Sequence, residues 1–305
     1  KNNIDKSKIN QKKILNNLKN IFLNKKSEFL GIRDLYYEDN YIFISVIEKE
    51  VKGHTLNIYR APKNFKQLNF EIFFKTQEYS SEYTLQTGGR IEKYKDNKIL
   101  LSLGFFNDYD AAQNLNSKVG KIISINKDSK EFEVLSLGHR NPQGLFFHKE
   151  KNLIINSEHG PVGGDEVNLN FLDKKLNNIK NYGWPISSYG KPYPGTEEIY
   201  KKKNLLQKTH SENGFEEPIK YFSPSIGISE IFYVKEISNK DLSNKLFVSS
   251  LRASSIYIIG FDQNMDKVEK IDRVYFENNR IRDLKFDNEN ELFFIFFEST
   301  PALGV

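Results

Sequence analysis

Three phrases between residues 137 and 185 concentrate the side chains that could do chemistry: Gly-His-Arg-Asn-Pro-Gln-Gly at 138–144, Glu-His-Gly-Pro-Val-Gly-Gly-Asp-Glu at 158–166 and Asn-Tyr-Gly-Trp-Pro at 181–185. Their glycines and prolines restrict the backbone where carbonyl and N–H groups can be turned inward. The first two hold an arginine, two histidines and three acidic groups. Arginine presents a planar, bidentate donor suited to an anion, whereas carboxylate and backbone oxygens suit a hard cation such as Ca²⁺. The stretch therefore reads as the wall of an active site, with an anion site beside a metal site.

The arginines are few. The chain has eight, Arg33, Arg60, Arg90, Arg140, Arg252, Arg273, Arg280 and Arg282, against 37 lysines. A chain that prefers lysine so strongly keeps arginine where a rigid fork is worth having. Arg280 and Arg282 sit at i and i+2, which on a strand places them on one face. Standing alone, each arginine also reads as a surface ion pair, and Asp165-Glu166 as a solvated pair after a Gly-Pro turn. His139 and His148 read as packing or surface residues.

The elements that must position these groups repeat. An apolar pair, a polar turn and a strand rich in Phe, Ile and Leu recur at 33–46, 90–103, 143–158, 229–251 and 282–297. A period near fifty with paired strands and Asp/Asn turns predicts the blades of a β-propeller. The longest interval contains the Gly/Pro-rich segment 160–224, read as an insertion that carries function on one face. Residues 1–26 differ: Ile14, Leu18, Ile21 and Phe22 fall at helical spacing in a Lys/Asn-rich run. That run reads equally as a short amphipathic helix or as a poorly ordered lead-in.

Composition agrees with strands, since 13% of residues are aromatic, with 24 Phe and 16 Tyr against one Trp. No apolar run approaches the roughly eighteen residues needed to span a membrane as a helix. The formal charge of +5 is spread along the chain, and basic runs such as Lys201–Lys203 lack interleaved aromatics, which argues against a nucleic-acid surface. The absence of cysteine excludes disulfide and thiol chemistry. The chain opens on Lys1, which reads as a removed leader or a fragment.

Taken in order, GHRNPQG, EHGPVGGDE and NYGWP, with QTGGRI upstream and NNRIRD downstream, resemble the glucose/sorbosone dehydrogenase family from about residue 30 to the C-terminus. The resemblance implies an all-β fold: a six-bladed propeller of four-stranded antiparallel blades, the first or last incomplete, over residues 27–305. It implies a dehydrogenase using pyrroloquinoline quinone (PQQ) and Ca²⁺, an aldose substrate, an external electron acceptor and a periplasmic or secreted location. It places Arg140, Asn141, His159, Arg252, Arg280 and Arg282 around the quinone, with Arg140 as a catalytic cation at the quinone oxygens. It assigns the calcium to Gly160, Pro161, Glu166 and Tyr182. One departure stands out: where the family carries a histidine as general base, this sequence has Gln86. An amide can hydrogen-bond a hydroxyl but cannot take its proton near neutral pH. The alternative reading is therefore a propeller that binds a saccharide, cofactor or protein partner without turnover. The family's opening-blade phrase also has no match before residue 27.

Overall fold

The computed structural model describes residues 27–64, 66–95, 97–172, 179–298 and 303–304. Among these the regular secondary structure is almost entirely strand. The first sheet runs β1 (Glu28–Glu38), β2 (Tyr41–Glu50), β3 (Gly53–Pro62) and β4 (Glu71–Lys75), each antiparallel to the next. The second runs β5 (Gly88–Lys93), β6 (Lys98–Leu103), β7 (Lys121–Asn126) and β8 (Phe132–Leu137). The third contains β9 (Pro142–His148), β10 (Leu153–Glu158) and β11 (Asp165–Phe171). The two-residue β12 (Lys180–Asn181) then joins the second sheet, parallel to β8, before β13 (Lys220–Phe222) completes the third. The fourth runs β14 (Ile228–Val234), β15 (Lys245–Ser250), β16 (Ser255–Phe261) and β17 (Val268–Tyr275). The fifth is three-stranded: β18 (Ile281–Asp287), β19 (Leu292–Phe297) and β20 (Leu303–Gly304). A short helix, α1 (Glu197–Lys202), lies in the long connection of the third sheet.

Each repeated phrase falls on the opening hairpin of one sheet: β1–β2, β5–β6, β9–β10, β14–β15 and β18–β19. The polar turns behave as their chemistry demands. Asp39 and Asn40 both take positive φ in the β1–β2 turn, where Glu38 pairs with Tyr41, the backbone of a two-residue primed turn. Asn97 and Asn152 take the left-handed region in the corresponding turns of the second and third sheets.

The first strands pack side by side in the series β1, β5, β9, β14, β18. Apolar clusters fill the spaces between consecutive sheets. Leu100 and Ile122 of the second sheet meet Leu145 and Ile154 of the third; Ile155 and Val167 of the third meet Ile231 and Val248 of the fourth; Phe232 and Phe247 of the fourth meet Leu284 and Phe286 of the fifth. Radially packed four-stranded sheets are a propeller-like arrangement.

Two expectations change. Five sheets, not six, are present among the described residues. Segment 160–224 is also only partly extra chain, because it supplies β11 and β13; the added part is 172–219. The helical spacing at Ile14, Leu18, Ile21 and Phe22 lies outside the described residues.

Candidate active site

Because each sheet alternates direction, the loops before its first strand and those after its second emerge at one end, called here the upper face. Gln86 precedes β5, Arg140 and Asn141 precede β9, His159, Gly160 and Pro161 follow β10, Arg252 follows β15, and Arg280 precedes β18. Arg282 is the second residue of β18, and Glu166 that of β11. The predicted site residues thus share one face.

Arg140 is at the centre and is 4% exposed. Its NH1 donates to the carbonyls of His159 (3.0 Å) and Gly160 (2.8 Å). Its guanidinium stands 5.1 Å from the Trp184 ring centroid and 5.8 Å from that of Phe105, within cation–π range. Glu158 fixes its backbone: Oε2 accepts from Arg140 N at 2.7 Å, while Oε1 accepts from Asn168 Nδ2 at 2.7 Å and lies 3.0 Å from His139 Nδ1. Burial alone would raise the Glu158 pKa, but the His139 ring and the Arg140 N–H hold it below the ordinary carboxylate value. His139 is fully buried, stacked 4.9 Å from the Tyr182 ring, and is a packing residue.

Gln86 approaches from the second sheet. Its carbonyl accepts from Phe106 N at 3.1 Å, while the neighbouring Phe105 N donates to the Arg140 carbonyl at 2.9 Å. Gly88 and Gly89 bring the chain in at φ +62° and +108°, and a Cβ on Gly89 would stand 2.6 Å from Arg33 Cβ. The Gln86 carboxamide oxygen is buried with no hydrogen-bond partner, as are Arg140 Nε and Trp184 Nε1. Buried polar atoms are nearly always paired, so three orphans within one neighbourhood point to a missing ligand or water. Asn141 is more committed: its Oδ1 accepts from Gly88 N and Gln143 Nε2.

His159 is pushed down to about 4, first by burial and then by the positive charges of Arg140, Arg282 and Arg280. Its imidazole is neutral at neutral pH. Arg280 and Arg282, however, both pair with Glu298, so the surface-ion-pair reading describes their present partner. Arg252 is exposed, and its guanidinium has no hydrogen bond or ion pair among the described residues.

Gly160, Glu166 and Tyr182 line one buried cavity of about 10 Å³, together with Arg140, Glu158, His159 and His210; Pro161 does not line it. Burial raises the Glu166 pKa against the pull of His210, whose Nε2 is 3.2 Å from Glu166 Oε1. Two buried carboxylates and backbone carbonyls are donors of the type a hard cation takes, but the Arg140 guanidinium lines the same space, and among the described residues no three Asp, Glu or His side chains are grouped to hold a metal ion. The Gly160 carbonyl now accepts from Arg140, and a cation could claim it only if that guanidinium turned away. Asp165 is structural, taking Gly227 N (2.8 Å) and Ile228 N (3.1 Å) of the fourth sheet.

Sequence reasoning missed Arg90, which is 5% exposed on the axis. Its NH1 lies 3.3 Å from Asp34, 3.0 Å from Glu230 and 3.2 Å from Asp283, and its Nε donates to the Gln143 carbonyl at 2.5 Å. One guanidinium on β5 therefore ties β1, β9, β14 and β18 together. Below it, Glu92, Glu230 and Lys285 line a second cavity of about 160 Å³. Glu158, His210 and Trp184 were also missed as site residues, although Glu158 and Trp184 stand inside the flagged phrases.

A family model described as Glucose / Sorbosone dehydrogenase matches residues 4–303. Aldose sugar dehydrogenase YliI of Escherichia coli is 27% identical over 230 residues, covering 71% of this chain and 58% of that protein. Quinoprotein glucose dehydrogenase B of Acinetobacter calcoaceticus is 38% identical over 89 residues, 24% of this chain and 17% of that one. The chain thus spans under two thirds of the length of the curated relatives it matches. Among solved structures, the apo form of the soluble aldose sugar dehydrogenase of Escherichia coli superposes with a TM-score of 0.70 at 23% identity, covering 87% of this chain and 79% of that one. The PQQ-bound aldose sugar dehydrogenase of Streptomyces coelicolor gives 0.59 at 20% identity, over 85% and 70%. These two likenesses concern the fold. Among the described residues no helix is long and apolar enough to cross a membrane.

Proposed function

The chain belongs to the glucose/sorbosone dehydrogenase family, and we propose that its upper-face site binds PQQ beside a calcium ion and oxidises an aldose or related polyhydroxy compound at C1. The observation that carries this reading is the group of buried polar atoms without partners, Gln86 Oε1, Arg140 Nε and Trp184 Nε1, on the face where Arg140, Arg280 and Arg282 supply the cations a flat tricarboxylate needs. Arg140, His159, Arg252, Arg280 and Arg282 would hold the cofactor, with the Asn141 amide nitrogen, and Gly160, Glu166 and Tyr182 the metal, with Pro161 adjoining in sequence. When bound, the quinone supplies a hydride acceptor and the calcium a Lewis acid.

The chain's own residues do the rest. Arg140 sits where growing negative charge would be stabilised by a donor already in place. Glu158 holds that arginine by its backbone. Trp184, Phe105 and Tyr193 wall the guanidinium from water. Gln86 Oε1 accepts a hydrogen bond from the sugar hydroxyl but cannot take its proton, so a water hydrogen-bonded to the amide would relay that proton out to a base in the solvent. Electrons then pass to an external acceptor.

The second reading, binding without turnover, is favoured by Gln86 itself. Reconstitution with PQQ and Ca²⁺, then aldoses and a redox dye, separates the two. Turnover in the wild type that is lost in Arg140→Ala supports the dehydrogenase. Cofactor binding without dye reduction, unchanged in Gln86→His, sinks it. On the same proposal residues 27–305 form one propeller, whose five described sheets leave room for a sixth blade between the fifth and the first, since β18 and β1 lack the side-by-side packing of the other first strands. It would work in the periplasm or outside the cell.

A further inference from the structure

Two arginines at the mouth of the proposed site share one internal carboxylate. Arg280 Nε lies 2.5 Å from Glu298 Oε2, and Arg282 NH2 is hydrogen-bonded to Glu298 Oε1. Each carboxylate oxygen takes one guanidinium, the arrangement by which paired arginines grip a ligand's carboxylate. Glu298 follows β19, and its N–H donates to the Arg280 carbonyl at 2.8 Å, so the side chain is anchored on the same ladder as the arginines it meets. All three side chains are 36–47% exposed, within reach of a molecule arriving from solvent.

The charge around this contact is unbalanced. Arg140, Arg252, Arg280 and Arg282 bring four cations to the upper face. Glu158 and Asp165 are already engaged by His139 and by backbone N–H groups. Glu166 is likewise engaged by His210, so among the described residues Glu298 is the carboxylate that stands in the arginine clamp.

We propose that Glu298 is an internal stand-in for a ligand carboxylate, occupying the Arg280–Arg282 clamp in the free protein and yielding it to an incoming polycarboxylate. The inference rests on the cofactor reading above and adds a selection rule to it. A monocarboxylate that displaces Glu298 exchanges one pair of ion pairs for an equal pair and gains little. A tricarboxylate gains further contacts at Arg140 and Arg252, so only it displaces the stand-in efficiently. The contact therefore keeps the clamp closed to simple acids.

Calorimetric titration of PQQ and of benzene-1,3,5-tricarboxylate, a redox-inert probe, into wild type, Glu298→Gln, Arg280→Gln and the double variant tests this. With about 0.2–1 kcal/mol for each exposed pair, Glu298→Gln should bind both probes roughly 2- to 30-fold tighter. In the Arg280→Gln background the gain should shrink several-fold, because one of the two competing pairs is already gone. Glu298→Asp, too short to reach both arginines, should fall between. Binding to wild type with no gain in Glu298→Gln overturns the stand-in and leaves the cofactor reading intact. A gain for the tricarboxylate while PQQ binds no variant keeps the stand-in and overturns the cofactor reading. No binding of either probe to any variant overturns both.

Discussion

Replacing Arg90 with methionine removes the one cation that reaches all five first strands. The volume is nearly kept, so the loss is electrostatic. Asp34, Glu230 and Asp283 lose a guanidinium at 3.0–3.3 Å, and only Lys285, 3.5 Å from Glu230 and 3.6 Å from Asp283, remains nearby. Removing one partner of a buried ionic network costs about 3–5 kcal/mol, because the remaining charges stay buried and unpaired. The sign of the pH dependence follows from the carboxylates. Burial already lifts Glu230 to about 7 against the pull of Arg90, so without Arg90 it rises further. An acid whose folded pKa lies above its unfolded value binds more protons when folded, and its stability falls as pH rises through that window. The deficit of Arg90→Met should therefore be about 4 kcal/mol at pH 8 and roughly half of that at pH 5, where the carboxylates can protonate instead. Urea unfolding followed by emission of the single tryptophan, Trp184, measures it directly. Lys270→Met, which breaks an exposed pair with Asp272, is the control and should stay within about 0.5 kcal/mol. A deficit below about 1 kcal/mol at pH 8, or one larger at pH 5 than at pH 8, would show that Arg90 does not neutralise this cluster.

Glu92, lifted to about 8 by burial, binds an extra proton in the folded state across neutral pH. Glu92→Gln should raise stability at pH 8 by about 1–3 kcal/mol, at 1.36 kcal/mol per pKa unit, with little change at pH 4.5; equal effects at both would argue that the side chain is solvated. Glu158→Gln keeps the shape but turns an amide N–H toward Arg140 N or His139, which should cost about 1–3 kcal/mol and weaken PQQ binding by misplacing Arg140. Unchanged affinity in a folded variant would remove Glu158 as its positioning residue. Gly89→Ala forces a Cβ at φ +108° to within 2.6 Å of Arg33 Cβ and 2.9 Å of Leu56 Cδ1, and should cost about 2–5 kcal/mol in thermal unfolding. A variant as stable as wild type would mean that the first and second sheets separate easily there.

The strand content and the five repeats were legible because both rest on local chemistry. Alternating apolar residues make half-buried strands wherever they occur, and Asp39-Asn40, Asn97 and Asn152 accept positive φ without tertiary help. The upper-face placement of Arg140, His159 and Arg280 was legible for the same reason, since strand order within each repeat decides which loops share an end. Sequence alone likewise marked Gln86 as unable to take a proton, whatever surrounds it.

Other features depended on which distant strands meet. Arg90 and Asp283 are 193 residues apart, and no spacing rule pairs them before the first strands are packed around the axis. Long-range packing likewise decided that His210 reaches Glu166 across 44 residues and that burial lifts Glu92 and Glu230 toward neutral pH, whereas Arg280 and Arg282 meet Glu298 within the single β18–β19 hairpin. Residue type and local order determined what chemistry this chain can offer. Desolvation and long-range contact, which exist only after folding, decided which charges are paired, which stay protonated and which remain free for a ligand.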